Sequence, residues 1–366
     1  MSVWDAFTGQ DHALRLLQQD IASQRVAHAY LLTGAAGRVP AAAAGAFAAA
    51  LVCPSAGCGA CDACRRVQAM AHPDVELVEP AGTQLLVDQI REAVRAAWRL
   101  PVAGPRRVIV VDEADRMNPN AQNAFLKALE EPPPSTSIVL VAPSADALLD
   151  TVRSRCREVV FRSPSPDEIA RQLQREGVGE ADSCRWSRVA GRLDRARELA
   201  SDPAARARRQ SLVRRALQAV RDPGDSLASA EELAADMKAL RETVAERHTE
   251  VAAEQAQWLR ESKKVVEDRL KREQRRAEQD ALEAALDDLQ SVGRDLLALG
   301  ADPDSPVLND DVRDVLLVRA EQVRAHPARV VECLGALERA RRRLRSNANV
   351  QLTLEHVFLA VHRGLT

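Results

Sequence analysis

One stretch narrows the fold before anything else is read. Val108-Ile109-Val110-Val111 is a run of β-branched apolar residues set between Pro105-Arg106-Arg107 and Asp112. A strand that is apolar on both faces belongs in a parallel sheet covered by helices. The run ends in Asp112-Glu113-Ala114-Asp115. An acidic pair at the carboxyl end of such a strand is where nucleotide-binding α/β folds place a Mg²⁺ ligand and a water-orienting carboxylate. Asn118 to Glu131 then puts Ala121, Ala124, Phe125, Ala128 and Leu129 on one helical face, and Pro132-Pro133-Pro134 stops the helix. A second apolar run, Ile138-Val139-Leu140-Val141, follows, and the block closes on Ser154-Arg155-Cys156. Strand, helix, strand in this order predicts an α/β module.

Upstream, Asp11 to Arg25 predicts a helix with Leu14, Leu16, Leu17 and Ile21 as its apolar stripe, and His28 to Thr33 a short strand. A phosphate-binding loop of the form G-x-x-x-x-G-K-[ST] would start directly after that strand. Its small residues let backbone N–H groups close on phosphate, and its lysine meets the phosphate charge. The register here is Gly34-Ala35-Ala36-Gly37-Arg38-Val39-Pro40-Ala41. Val39 stands at the second glycine, Pro40 at the lysine and Ala41 at the Mg²⁺-binding hydroxyl. Proline also removes an N–H from the cradle. Gly34, Gly37, Asp112 and Glu113 therefore read as a vestigial nucleotide site, with the acidic pair kept as a strand end that caps the next turn.

Cys53, Cys58, Cys61 and Cys64 follow C-x4-C-x2-C-x2-C. Four thiolates this close in sequence can converge on one tetrahedral Zn²⁺, and Pro54, Gly57 and Gly59 let the backbone turn around it. Two disulfides or an iron–sulfur cluster are the alternatives. With no further polar ligand in the spacing, a zinc site here is structural. Cys156, Cys184 and Cys333 are scattered and read as buried small residues.

Several of these motifs together carry a family resemblance. V-I-V-V-D-E-A-D from Val108, N-A-F-L-K-A-L-E-E-P-P from Asn123, S-I-V-L-V-A-P-S from Ser137 and L-L-D-T-V-R-S-R-C from Leu148 are similar to the AAA+ subunits of the bacterial DNA sliding-clamp loader of DNA polymerase III. So are F-x-G-Q at Phe7 to Gln10, H-A-Y-L-L-x-G at His28 to Gly34, and N-x-N-x-x-L at Asn347 to Leu352. The resemblance implies an AAA+ α/β module of P-loop type over 1–164 with a zinc insert at about 53–64. It implies a helical lid over 165–203 and an all-helical collar over 204–366 that joins subunits in a ring. Arg155 would be an arginine finger reaching the ATP of a neighbouring tau/gamma-type ATPase subunit, with Arg153 and Arg157 as local rivals for the role. The bland alternative is a surface pair of Arg155 with Glu158 or Asp150. Other implied partners are the delta subunit, the β sliding clamp and, through the assembled complex, primer-template DNA. In active relatives a G-x-x-R near the end of the lid senses nucleotide. Here Gly191-Arg192-Leu193-Asp194 puts aspartate in that place, leaving Arg192 or Arg195 to compensate. Both departures imply a subunit that does not turn over ATP by itself. Two other readings stand beside it: an active tau/gamma-type motor, and a zinc and coiled-coil scaffold outside replication.

The 366 residues exceed what one core organises, so two or three domains are expected. A net charge of -2 gives no global basic field, so nucleic acid would meet a local patch. Aromatics at 3% argue against base stacking as a main mode. Met1 to Asp5 lacks a basic segment followed by an apolar core, and the alanine-rich run Ala41 to Val52 is too short to span a bilayer. A cytoplasmic protein with reduced thiols is expected. No glycine or proline occurs between Asp225 and Val292. That stretch predicts a helical hairpin at about 226–300, with a solvated segment or a break around Lys271 to Asp280. Arg339, Arg341, Arg342, Arg343 and Arg345 cluster near the end of a predicted helix over Ala325 to Arg345, where positive charge complements the helix dipole.

Overall fold

The structure, a computed structural model, describes all residues except 1, 35–38, 81–83, 219–223, 225–226, 237–238, 240–262, 346–347 and 366. The chain divides into two compact units, Met1–Gln172 and Leu173–Thr366.

The first unit is α/β. Its elements run α1 (Asp11–Ala22), β1 (Ala29–Thr33), α2 (Val39–Val52), α3 (Asp62–Gln68), β2 (Val75–Val78), α4 (Val87–Ala97), β3 (Arg107–Val111), α5 (Pro119–Glu130), β4 (Thr136–Ala142), α6 (Asp150–Arg153) and β5 (Arg157–Val160), leading into α7 (Pro166–Arg175). The five strands form one sheet in the order β2-β3-β4-β1-β5. All its pairings are parallel, with Ile109 opposite Ile138 and Tyr30 opposite Val139. The strand side chains alternate between two apolar layers. Tyr30, Leu32, Val108, Val110, Val139 and Val141 face α1 and α2 through Leu17 and Phe47. Leu31, Ile109, Val111, Ile138 and Leu140 face α4 and α5 through Ile90 and Phe125. Full burial of each large side chain contributes about 1.5–3 kcal/mol, so the double-sided sheet dominates this unit's stability. The alanine run is α2, packed against this sheet. Among the described residues no helix is long and apolar enough to cross a membrane.

β5 is the strand that sequence periodicity misses. It lies on the sheet edge, with Arg157, Glu158 and Val160 exposed and only Val159 buried. Its anchor is Arg157, whose guanidinium meets Asp20 at 2.8 Å. Asp20 also accepts from the Tyr30 hydroxyl at 2.8 Å.

The second unit is helical. Lys263–Ala301, Arg313–Ala325, Pro327–Arg345 and Val350–Leu365 pack around Leu286, Leu289, Leu296, Leu316, Val330, Leu337, Leu354 and Phe358. Gly293 permits a close helix contact, because a Cβ there would lie 2.8 Å from Leu334 Cδ2. The expected break around Lys271 to Asp280 does not occur: the helix from Lys263 to Ala301 runs straight through. Lys, Arg, Glu, Gln and Ala are strong helix formers, so a polar stretch needs no core to remain helical. The first arm of the expected hairpin falls largely in 240–262, outside the described residues. Within N-x-N-x-x-L, Asn347 is likewise outside them, while Asn349 caps the last helix by accepting from Leu352 N at 3.0 Å. Arg341 of the basic cluster is paired with Glu283 at 3.2 Å and Asp287 at 2.6 Å.

This unit also buries a polar network. Arg209 Nε lies 3.2 Å from Asp288 Oδ1, and Arg195 Nη2 lies 3.1 Å from Asp288 Oδ2. Arg209 donates onward to Asn309 Oδ1. Asn309 donates to Asp295 from its backbone at 2.8 Å and its side chain at 2.7 Å.

Candidate functional site

The four motif cysteines converge. Helix α2 ends at Val52 and delivers Cys53; Cys61 caps α3, its Sγ accepting from Cys64 N at 3.4 Å. Ala56, Gly57 and Gly59 take positive φ, which folds the intervening loop back on itself. The four sulfurs all lie within 4.8 Å of one another. Cys53 Sγ is 3.8 Å from that of Cys58 and 3.6 Å from that of Cys61. Sulfurs held about 2.3 Å from a tetrahedral ion stand about 3.8 Å apart, so the cluster has the dimensions of a metal-thiolate site. All seven cysteines are free thiols in this structure. Burial raises the Cys53 thiol, but the N–H groups of Cys58, Gly57 and Ser55 outweigh it and bring it down to about 6. Burial pushes Cys64 up to about 12. A cation among the sulfurs is what lets such thiols ionise together. The other cysteines lie apart: burial pushes Cys156 up to about 12 and Cys333 up to about 11, and Cys184 is exposed.

The residues of the expected vestigial nucleotide site that the structure describes sit at the carboxyl edge of the sheet. Gly34 follows β1 with φ +149°, and a Cβ there would lie 1.9 Å from the Phe161 carbonyl oxygen. Only glycine fits, because Phe161 N donates to Thr33 O at 2.7 Å and draws the two segments together. Gly37 and Arg38 are outside the described residues. Helix α2 begins at Val39, so Pro40 lies in its first turn, where a missing N–H costs no helical bond. That turn therefore carries neither a lysine nor a hydroxyl. Across the sheet, β3 delivers Asp112 and Glu113 on the far side of β4. Asp112 Oδ1 accepts from Glu113 N at 2.9 Å. Glu113 is in the left-handed region (φ 51°, ψ 45°), and its carboxylate meets Arg116 at 3.0 Å.

Arg155 stands in the turn between α6 and β5. Gln122, buried in α5, holds the start of α6 by accepting from Leu149 N at 2.7 Å, and it donates to Met117 O at 3.1 Å. Arg155 Nη1 donates to Thr151 O at 2.8 Å, and Nη2 meets Glu130 Oε1 at 2.7 Å. Its expected alternative partners are used elsewhere. Asp150 pairs with Arg153 at 3.1 Å, and Glu158 accepts from Thr33 Oγ1 at 3.1 Å. The rivals are tied as well, Arg153 also to Asp146 at 2.6 Å and Arg157 to buried Asp20. Arg155 is 36% exposed and Glu130 49%, and a surface pair of this kind contributes at most about 1 kcal/mol. Of the two arginines near the expected G-x-x-R position, Arg192 pairs with Asp194 at 3.3 Å and Arg195 belongs to the buried Asp288 network.

Residues 9–165 match the family described as DNA polymerase III, delta subunit. Over these residues the N-terminal module is similar to delta' subunits of DNA polymerase III. The chain is 43% identical over 166 residues to DNA polymerase III subunit delta' of Pseudomonas aeruginosa, covering 40% of this chain and 51% of that protein. It is 33% identical over 172 residues to the delta' subunit of Bacillus subtilis, covering 46% and 52%. It is also 33% identical over 179 residues to the gamma/tau subunit of Mycobacterium tuberculosis, covering 46% and 31%. The chain thus spans about half the length of the delta' relatives it matches. A DNA polymerase III, gamma subunit-related protein of Thermotoga maritima aligns over 96% of this chain and 99% of its own, at 18% identity and TM-score 0.43.

Proposed function

We propose that this chain is a clamp-loader subunit that does not hydrolyse ATP itself and completes the ATPase site of a neighbouring tau/gamma-type subunit with Arg155. It would thereby help load the β sliding clamp onto primer-template DNA, together with a delta subunit, in the cytoplasm. Its parts in this reading are an AAA+ module over 1–164, a lid over 165–203 and a collar over 204–366. One contrast carries the proposal. The first turn of α2 holds Val39-Pro40-Ala41 where a phosphate cradle needs a lysine and a hydroxyl, while Arg155 stays accessible on a weak surface pair. A guanidinium is charged at every working pH and forks onto phosphate oxygens, so it suits charge that builds on a γ-phosphoryl group. Purified alone, the chain should show no ATP turnover, and Asp112→Ala should change nothing. Turnover that disappears with Asp112→Ala would instead support the tau/gamma-type motor.

Cys53, Cys58, Cys61 and Cys64 would hold one structural Zn²⁺, closing the loop between α2 and α3. Elemental analysis after dialysis should find one zinc per chain, and Cys58→Ser should lose most of it. Iron in place of zinc, or full retention of zinc by Cys58→Ser, would contradict this assignment. Because the ligands must be deprotonated, zinc retention should fall as the pH is lowered.

A further inference from the structure

Residues 2–10 are anchored at two distant places. At one end they cross the cysteine loop. Val3 N and Ser2 Oγ both donate to Gly57 O at 3.0 Å, and Trp4 Nε1 donates to Ala56 O at 3.3 Å. Gly57 has φ +99°, and a Cβ there would fall 2.6 Å from Val3 Cγ2, so the loop is bare where the segment lies over it. At the other end Gln10, only 3% exposed, donates from Nε2 to the Arg162 carbonyl at 2.8 Å. Gly9 takes the left-handed conformation (φ +72°), and a Cβ there would lie 3.5 Å from both Pro164 and Glu168. Glu168 in turn receives the Arg162 guanidinium at 2.8 Å and the Ser165 N–H at 2.8 Å. These contacts hold the connector from β5 into α7 against the segment.

We propose that residues 2–10 are a strap through which the metal loop controls the order of the connector 161–168. With the four cysteines gathered on an ion, the carbonyls of Ala56 and Gly57 are fixed and present the strap with a firm anchor. With the loop released, the strap loses that anchor, and the hold of Gln10 on Arg162 weakens with it. F-x-G-Q thereby gains a physical role, in which the glycine supplies the left-handed turn that leads to the connector and the glutamine grips it. The proposal rests on the four cysteines binding a metal and not on the role of Arg155.

Hydrogen–deuterium exchange on the full chain tests it, comparing zinc-loaded and chelator-stripped protein. Stripping should speed exchange in 2–10 and in 161–168 by roughly fivefold, the equivalent of about one net hydrogen bond, with α5 (119–130) unchanged. Gln10→Ala should loosen 161–168 by a similar factor while the zinc content stays at that of the parent. A parent chain that binds no metal overturns the proposal together with the metal assignment. If zinc is bound but its removal leaves 161–168 unchanged, or loosens the whole sheet equally, the coupling alone is overturned. The same holds if Gln10→Ala leaves 161–168 protected.

Discussion

Replacing Arg155 by alanine should lower ATP turnover at the neighbouring subunit's site by a factor on the order of 10³, the lower end of what an arginine supplied in trans contributes. Arg155 would give up little on reaching a phosphate. Its contacts are one carbonyl, Thr151 O, and one half-exposed carboxylate, Glu130, so exchanging them for a phosphate costs about 1 kcal/mol or less. For the same reason Arg155→Ala should leave the stability of the chain within about 1 kcal/mol of the parent, as denaturant unfolding would show. Arg155→Lys should not restore turnover, since a lysine cannot reproduce the forked donor geometry. Glu130→Gln separates the finger from a merely structural pair. A finger gains freedom, so turnover should hold or rise. If Arg155 matters only through its pair, Glu130→Gln should impair turnover as much as Arg155→Ala does.

The second large effect is on stability. Asp288→Ala should destabilise the helical unit by about 3–5 kcal/mol, read from urea unfolding of the full chain. Asp288 is the shared partner of Arg195 and Arg209, and it is 4% exposed. Its removal leaves two guanidinium groups facing each other without their counter-charge. Arg209 would keep Asn309, and Arg195 would keep Glu198 at 2.7 Å. The second residual bond lies toward solvent, so Arg195 has the easier escape. Arg209→Met should then cost less than Asp288→Ala, because it removes a buried charge instead of stranding two. This network also bears on the nucleotide question. Arg195, a candidate to replace the missing lid arginine, is already committed inside its own unit.

Much of the α/β module was legible because its central strands are buried on both faces. β1, β3 and β4 therefore read as unbroken apolar runs with the acidic pair at the end of one of them. The cysteine cluster was legible because all four cysteines fall within 12 residues, Cys53 to Cys64, so local turns suffice to gather them. β5 was not, since an edge strand with three exposed positions carries no apolar period. The residues that position the site were hidden for another reason. Gln10 and Gln122 find their partners 152 and 27 residues away, and no local pattern marks a glutamine as buried. Glu130 as the partner of Arg155 depends on how α5 and α6 pack, which spacing alone does not encode. Of the two readings of Lys271 to Asp280, a solvated stretch or a break, the break is not found, because loss of an apolar stripe marks exposure, while helix continuity follows from the helix-forming residues themselves.

In the assembled complex the Arg155 guanidinium should leave its surface pair for the neighbouring subunit's nucleotide. A structure of this chain bound to a tau/gamma-type subunit and a non-hydrolysable ATP analogue measures that directly. The expected result is Arg155 released from Glu130, with its nitrogens about 3 Å from a γ-phosphate oxygen of the partner's nucleotide. Arg155 still paired with Glu130 and turned away from that nucleotide would contradict the account.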